Sequence, residues 1–433
     1  KLELGWSVAS LTLTATLAMM VAGPLSDRLG RRTVLRYAAI LYAISALASA
    51  FAPTFLVLVL ARMIGGFGVG ASLILAPMYI AEISPAEIRG RMVSFNQLNI
   101  VIGISLAFFT NYLILQLGKS DAPWAQMLKF DEYNWRWMLG LETIPALLYY
   151  IGLYFVPRSP RWLIMKGDFN DSLAIMTRFS DEQVAKNDIE KIRESIEKEK
   201  IKERPKLSEL FKPSMKLVLI IGIVVAILQQ LSGINSVFFY APMIFEQSGI
   251  GTDASFIQAI LVGLTNLVFT ILAILFIDKI GRKPLLVFGV SGIALCMFLL
   301  AYGFHSATYT LTDESISSLP EQVDKVKISS LSEIVYPSDI TFKAAIRETL
   351  GKESAITYES DLIKASIKMN PTLILFAIIG FVASFAISLG PVMWVLFSEL
   401  FPNRLRGIAI SFVGFINSGV SFIVQWVFPW ELD

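Results

Sequence analysis

Cysteine and histidine are nearly absent from this 433-residue chain, at one residue each, Cys296 and His305. A lone cysteine forms no intrachain disulfide or thiolate cluster, and a lone histidine removes multi-histidine metal sites and disfavours histidine-based triads. Charge is scarce too. Asp, Glu, Lys and Arg make up 17% of residues and nearly cancel to +2, so nucleic acid is not an expected partner. No acid, base and nucleophile converge at one depth, and the sequence predicts neither an enzyme nor a cofactor or metal site.

Apolar side chains fill the space that charge leaves. They make up 55% of the chain, and mean hydropathy is +0.63, outside the range of ordinary soluble domains. A membrane helix needs about 20 mostly apolar residues. Windows of that length pick out ten, near 6–25, 34–52, 55–80, 91–117, 137–156, 216–245, 255–277, 285–304, 371–397 and 406–430. The sequence predicts an all-α polytopic membrane protein within the lipid bilayer. Loops 26–36, 86–91, 157–216, 278–283 and 402–406 hold 25 basic residues and the opposite loops ten. The first set is therefore expected on the cytoplasmic face and the 305–369 insertion on the periplasmic face.

Two charge patterns occur twice. Asp27-Arg28-Leu29-Gly30-Arg31-Arg32 after the first span is matched by Asp278-Lys279-Ile280-Gly281-Arg282-Lys283 after the seventh. Glu82, Pro85, Arg89 and Gly90 after the third are matched at identical spacing by Glu399, Pro402, Arg406 and Gly407 after the ninth. Such a repeat divides the chain into an N-terminal bundle (1–156), a charged linker (157–214) and a C-terminal bundle (215–433) that carries the insertion. In the linker, Ile189, Ile192, Ile196 and Ile201 fall at helical spacing and predict an amphipathic helix over 180–204. The insertion holds ten acidic and seven basic residues and is expected to form short helices or stay partly disordered. Two parallel repeats about an axis along the membrane normal are a transporter design, with the substrate held between them.

Polar residues at membrane depth narrow the chemistry. Side-chain amides donate and accept without burying net charge, so Gln229, Gln230 and Asn235 in the sixth span suit a neutral polyol, hydrogen bonding between helices being their other use. Ser232-Gly233 between them is expected to loosen the helix. Gly390-Pro391 is expected to break the ninth span ahead of Trp394, whose indole suits the C–H face of a pyranose. Arg62, about two turns inside the third span, calls for a partner, and no carboxylate in the spans is evident at that depth.

Several stretches together resemble a sugar porter of the major facilitator superfamily, in the manner of bacterial D-xylose–proton symporters. They are Gly23-Pro24-Leu25-Ser26-Asp27-Arg28-Leu29-Gly30-Arg31-Arg32, Arg62-Met63-Ile64-Gly65-Gly66, Pro77-Met78-Tyr79-Ile80-Ala81-Glu82, Ser159-Pro160-Arg161-Trp162, Gln229-Gln230-Leu231-Ser232-Gly233-Ile234-Asn235 and Gly390-Pro391-Val392-Met393-Trp394. The resemblance implies the major facilitator fold, with ten of an expected twelve spans visible and the first and last outside this sequence. It implies that Gln97, Gln229, Gln230, Asn235, Asn266, Trp394 and Asn417 surround a monosaccharide and that Tyr240 gates the outer side. Arg62 would pair with a protonatable aspartate on the first helix of the family. Asp27, Arg31, Glu82, Arg89, Asp278, Arg282, Glu399 and Arg406 would hold the cytoplasmic side shut.

The function so implied is transport of a pentose or hexose across the cell inner membrane by alternating access, as a monomer and with proton symport. A facilitative uniporter and a non-transporting sugar receptor are the alternatives. Two departures stand out. Pro157-Arg158-Ser159-Pro160-Arg161 has arginine where the family has glutamate, and Asn417-Ser418 replaces an amide–tryptophan pair.

Overall fold

Inside a bilayer a backbone N–H or C=O finds no water, so an apolar run is stable only as a helix that satisfies its own peptide groups. The computed structural model describes residues 2–431 apart from 86–87, 179–180, 202–206, 249–250, 321, 352–353, 356–357 and 403–404. Among the described residues ten segments are long and apolar enough to cross a membrane, and they are Glu3–Leu29, Arg31–Ala50, Phe55–Ile83, Phe95–Gly118, Asn134–Phe155, Pro213–Gln247, Thr252–Ile277, Arg282–His305, Pro371–Phe397 and Arg406–Trp430. This is a multi-pass helical membrane protein, span for span as the hydropathy reads.

The main helices are α1 (Leu2–Leu29), α2 (Arg31–Ala50), α3 (Phe55–Ile83), α4 (Arg89–Gly118), α5 (Asn134–Gly140) and α6 (Thr143–Phe155). In the linker follow α7 (Pro160–Lys166), α8 (Phe169–Met176) and α9 (Glu182–Ile201), the last being the amphipathic helix the isoleucines predict. Then come α10 (Lys216–Leu231), α11 (Ile234–Gln247), α12 (Thr252–Ile280), α13 (Arg282–His305), α14 (Pro371–Ile387), α15 (Leu389–Leu400) and α16 (Arg406–Glu431).

Among the described residues three spans are interrupted, the fifth where Leu141-Glu142 joins α5 to α6. Gly233, at φ +82°, separates α10 from α11 as expected. The ninth span breaks at Ser388 (φ −125°, ψ −94°), two residues before the expected Gly390-Pro391. Pro391 then falls in the first turn of α15, where its missing N–H has no intrahelical acceptor to lose. The repeated motifs share a backbone as well as charges: Gly30 (φ +92°, ψ 144°) and Gly281 (φ +90°, ψ 161°) turn the chain between paired helices. That region is open essentially to glycine alone.

Packing divides the chain into two units. The first holds residues 1–102, 113–235 and 393–433. In it α1 lies against α3, where a Cβ on Gly66 would come within 2.0 Å of Thr14 Oγ1 and one on Gly70 within 2.1 Å of the Ala15 carbonyl oxygen. The four-residue spacing of these glycines is the small-residue pattern that lets membrane helices touch backbone to backbone. Val34, Leu35, Leu75, Tyr79 and Leu153 form one core, and Leu219, Ala226, Met393, Phe397 and Val413 another, where α10, α15 and α16 meet.

The second unit holds residues 103–112 and 236–392, with α12 and α13 packed on α14 around Ile374, Ile378 and Phe381. It carries the insertion, which is more ordered than its composition suggests. β1 (Thr308–Tyr309) pairs antiparallel with β2 (Ile367–Lys368) over a core of Leu311, Ile328, Phe342, Ile346 and Leu362. Short helices surround that core, and the Tyr309 ring stacks on Phe342 at 5.6 Å. Asp324 caps one of these helices by accepting the Lys327 amide at 3.1 Å, which holds its carboxyl below the usual range. Lys364 Nζ donates to Glu246 Oε2 at 2.8 Å and ties the insertion to α11.

Candidate substrate site

The break at Gly233 ends α10 and starts α11, and the amides of Gln229, Gln230 and Asn235 on either side of it converge with Asn417 of α16. Gln230 Nε2 donates to Gln229 Oε1 at 2.8 Å and to Asn417 Oδ1 at 3.0 Å, and Gln230 Oε1 accepts from Asn235 Nδ2 at 2.7 Å. Asn417 Nδ2 donates to Gln229 Oε1 at 2.7 Å and to the Ala226 carbonyl at 2.9 Å. The second Asn235 proton goes to Ser421 Oγ at 2.8 Å. Gln229, Gln230, Asn417 and Ser421 are buried.

Counting donors shows what is left over, since each primary amide has two protons. Gln230, Asn235 and Asn417 spend both on the protein. Among the described residues no partner engages Gln229 Nε2 or Asn235 Oδ1, and the Ser421 hydroxyl, accepting from its neighbours, keeps its own proton to donate. The cluster thus leaves unspent two donor groups, with three protons between them, and one acceptor, with no ionised group among them. A neutral molecule with adjacent hydroxyls matches that set.

Of the residues the sequence singles out, Gln229, Gln230, Asn235 and Asn417 are brought together. Trp394 rests on Gly414, one turn before Asn417 on α16, with its ring edge-on to Phe397 at 5.9 Å. Gln97 is half-buried on α4 and makes no hydrogen bond to the cluster among the described residues, and Asn266 and Tyr240 are buried in the second unit. Ser418 turns away from the amides and donates to Met19 Sδ at 3.8 Å. Ser421 and Gln425 were not expected here. They follow Asn417 at four-residue steps along α16, a polar stripe that helical spacing puts on one face.

The expectation that Arg62 has no carboxylate at its depth is overturned by Glu142, whose carboxyl interacts electrostatically with the Arg62 guanidinium. Glu142 is exposed. It joins α5 to α6, and counted from Phe55 and Asn134 both residues lie about two turns into their spans.

The first copy of the repeated charge motif forms a closed cluster. Arg31, 4% exposed, reaches Asp27 Oδ1 at 2.8 Å through Nη1 and Glu82 Oε2 at 3.1 Å through Nε. Ser159 Oγ donates to Glu82, and Trp162 Nε1 donates to the Asp27 carbonyl at 3.2 Å. The hydroxyl of the Pro-Arg-Ser-Pro-Arg stretch makes the link, while Arg158 stays exposed. In the second copy Arg282 Nη1 donates to the Ile277 carbonyl at 3.4 Å, Glu399 is exposed and Arg406 is half-buried. The side chains of Arg89 and Asp278 lie outside the described residues.

Comparison with known proteins bears on this arrangement. The sequence profile described as "Sugar (and other) transporter" matches residues 1–320 and 354–433. An arabinose-proton symporter of Bacillus subtilis is 32% identical over 429 residues, which cover 99% of this chain and 77% of that protein. A D-xylose-proton symporter of Escherichia coli is 34% identical over 444 residues, 98% of this chain and 76% of that protein. The crystallised xylose transporter of E. coli, in a partially occluded inward-open conformation, superposes with a TM-score of 0.70 at 30% identity, covering 99% of this chain and 82% of that one.

Proposed function

We propose, on the premise that this chain belongs to the sugar-transporter family as a sugar porter of the major facilitator superfamily, that it carries a pentose together with a proton. It is a transporter and not an enzyme. The observation that carries the sugar assignment is the amide cluster, which satisfies itself internally yet keeps Gln229 Nε2, Asn235 Oδ1 and the Ser421 hydroxyl for a ligand. Three such atoms read adjacent hydroxyls, and Trp394 covers the apolar face of the ring. Gln97 supplies a further contact from α4. Both relatives quoted above are named for symport of a pentose with protons, which supports the choice of pentose and of symport.

Arg62 and Glu142 supply the proton site visible in this chain. Protonating Glu142 removes the charge that holds the guanidinium, and an arginine released within the membrane seeks another acceptor, so proton binding becomes a change of helix contacts. The halves 1–156 and 215–433 then rock about the sugar, with the Asp27–Arg31–Glu82–Ser159 cluster closing the cytoplasmic side and Tyr240 the outer side. The protein works as a monomer in the cell inner membrane, oriented by its basic loops. The test is uptake of D-xylose and L-arabinose into proteoliposomes under an imposed proton gradient. Accumulation, with alkalinisation of the medium when sugar is added without a gradient, is expected. Equilibration with no pH change would replace symport by uniport, and binding without flux would leave a receptor.

A further inference from the structure

The stretch Pro157-Arg158-Ser159-Pro160-Arg161, with arginine in place of the glutamate of the family, follows the fifth span beside the start of α2. Two guanidiniums from α2 reach the last carbonyls of that span. Arg32 Nη1 donates to the Val156 oxygen at 2.8 Å, and Arg36 Nη2 to the Leu153 oxygen at 3.2 Å. One turn apart, the two arginines share a face of α2. Tyr79 on α3 donates to the Pro157 oxygen at 2.6 Å and holds the chain just ahead of Arg158. Arg158 is exposed, yet its charge, like that of Arg36, acts on Arg32.

Like charges so placed repel one another, and among the described residues none of the three arginines makes an ion pair. Asp27 and Glu82, the carboxylates of the neighbouring cluster, are held by Arg31, and Glu82 by Ser159 as well. Capping the carbonyls that end α6 is favourable, but partial charges there do not cancel three full ones. Each guanidinium carries five N–H donors, of which Arg32 and Arg36 each spend one on those carbonyls. The Arg36 guanidinium lies over the Tyr154 ring, 3.7 Å from its centroid, and is held there. Tyr154 and Phe155 end the fifth span, Tyr37 lies near the start of the second, and all three are exposed. Tyrosines so placed mark the surface of a bilayer, and the arginines stand at the level of its headgroups.

We propose that Arg32, Arg36 and Arg158 form a binding site for a phosphate group, supplied by the headgroup of an anionic phospholipid. Planar guanidiniums meet phosphate oxygens two at a time, and basic residues at a membrane surface draw anionic lipids. A phosphodiester here brings the negative charge that the three arginines lack, while its acyl chains run along Tyr154 and Phe155. Glutamate at position 158 would bring that charge from within the protein; arginine adds to the excess instead. The site stands apart from the sugar and proton assignments and does not depend on them.

The experiment uses the purified full chain in a neutral detergent. Native mass spectrometry gives dissociation constants for phosphatidylglycerol and for phosphatidylcholine, which carries the same phosphate beside a cation, and thermal unfolding is followed with each lipid and with inorganic phosphate. Wild type is expected to hold phosphatidylglycerol roughly tenfold or more tighter than phosphatidylcholine, the range of one or two charge-assisted hydrogen bonds, and to unfold at a higher temperature with it. Arg158→Glu should cost most of that preference and leave phosphatidylcholine within about twofold of wild type. Arg158 makes no hydrogen bond among the described residues, so its replacement keeps the caps on α6, and the midpoint without lipid should not fall. Arg178→Glu, the same change of charge at another exposed arginine of the linker, should leave both lipids within about twofold.

Equal affinity of wild type for the two lipids overturns the proposal and leaves the arginines as helix caps and a topological signal. A preference that survives Arg158→Glu, or that falls by the same factor in Arg178→Glu, overturns it as well, since the attraction then belongs to net charge and not to this site. If inorganic phosphate raises the midpoint of wild type but not of Arg158→Glu, while phosphatidylglycerol raises neither, the phosphate is a free one and the lipid assignment is overturned.

Discussion

Gln230→Ala is the sharpest perturbation of the amide cluster, because this side chain spends every hydrogen-bonding group it has on its neighbours. The change removes three bonds at once: those to Gln229 Oε1 and Asn417 Oδ1, and the one accepted from Asn235 Nδ2. Two atoms, Asn417 Oδ1 and one Asn235 N–H, are then stranded in a buried setting. A buried polar atom left without a partner costs about 1–3 kcal/mol, so two of them set an upper range of roughly 2–6 kcal/mol. Water entering the vacated volume, which is polar and large enough to hold one, returns a good part. What remains falls on the orientation of Asn235, and about 1.5–2 kcal/mol of lost binding corresponds to a Kd raised roughly ten- to thirtyfold. Gln230→Glu keeps the shape but turns an acceptor toward Gln229 Oε1 and Asn417 Oδ1, and should be at least as damaging as alanine. Calorimetric titration of the purified variants with D-xylose, alongside thermal unfolding to separate stability from affinity, gives both numbers. An alanine variant that binds within twofold of wild type, or a glutamate variant that binds normally, would refute the reasoning.

The other perturbations touch separate parts of the molecule. Glu142→Gln is expected to leave sugar binding and sugar–sugar exchange intact while abolishing accumulation driven by a proton gradient; retained accumulation would remove Glu142 from the proton path. Glu82→Gln takes one charge from the nearly buried Arg31, and breaking such a pair costs about 3–5 kcal/mol. It should raise labelling of cysteines placed on the cytoplasmic cavity wall in a Cys296→Ser background, and unchanged labelling would reduce the cluster to a topological signal. Gly281→Ala has open space for its methyl, with Pro284 Cδ the nearest atom at 3.9 Å, so its cost isolates backbone strain. About 1–3 kcal/mol should appear as a lowered unfolding midpoint in detergent, and an unshifted midpoint would contradict the requirement for glycine.

Hydropathy located all ten spans because apolar length is a property of consecutive residues, and the break at Ser232-Gly233 was legible for the same reason. The cluster was legible by residue type: Gln229, Gln230, Asn235 and Asn417 are amides within apolar helices, where they need a polar partner. How they spend their protons was not, because that depends on Asn417 arriving from nearly two hundred residues away. Glu142 was missed since its neighbours read as an uninterrupted apolar span, although counting residues from the span's start would have placed it about two turns in, as Arg62 is. The short helices of the insertion were among the expectations, but its strands and its core were not. Strands of two residues, Thr308–Tyr309 and Ile367–Lys368, are too short to show alternation, and the core residues Leu311, Phe342 and Leu362 are scattered among charges.

That two-residue ladder also says how such an insertion can be gained or lost. The chain leaves α13 and returns to α14 across two antiparallel residue pairs, whose facing Cα atoms stand only about 5 Å apart. The described residues between Thr308 and Lys368 form a closed lobe with its own apolar centre, and excising it leaves a gap that a turn of a few residues spans. Genetic change can therefore add, enlarge or delete the lobe without moving a membrane helix. The same geometry makes it a natural place to graft an epitope or a fluorescent reporter onto the transporter, with the Lys364–Glu246 contact to α11 as the mechanical connection to be checked afterwards.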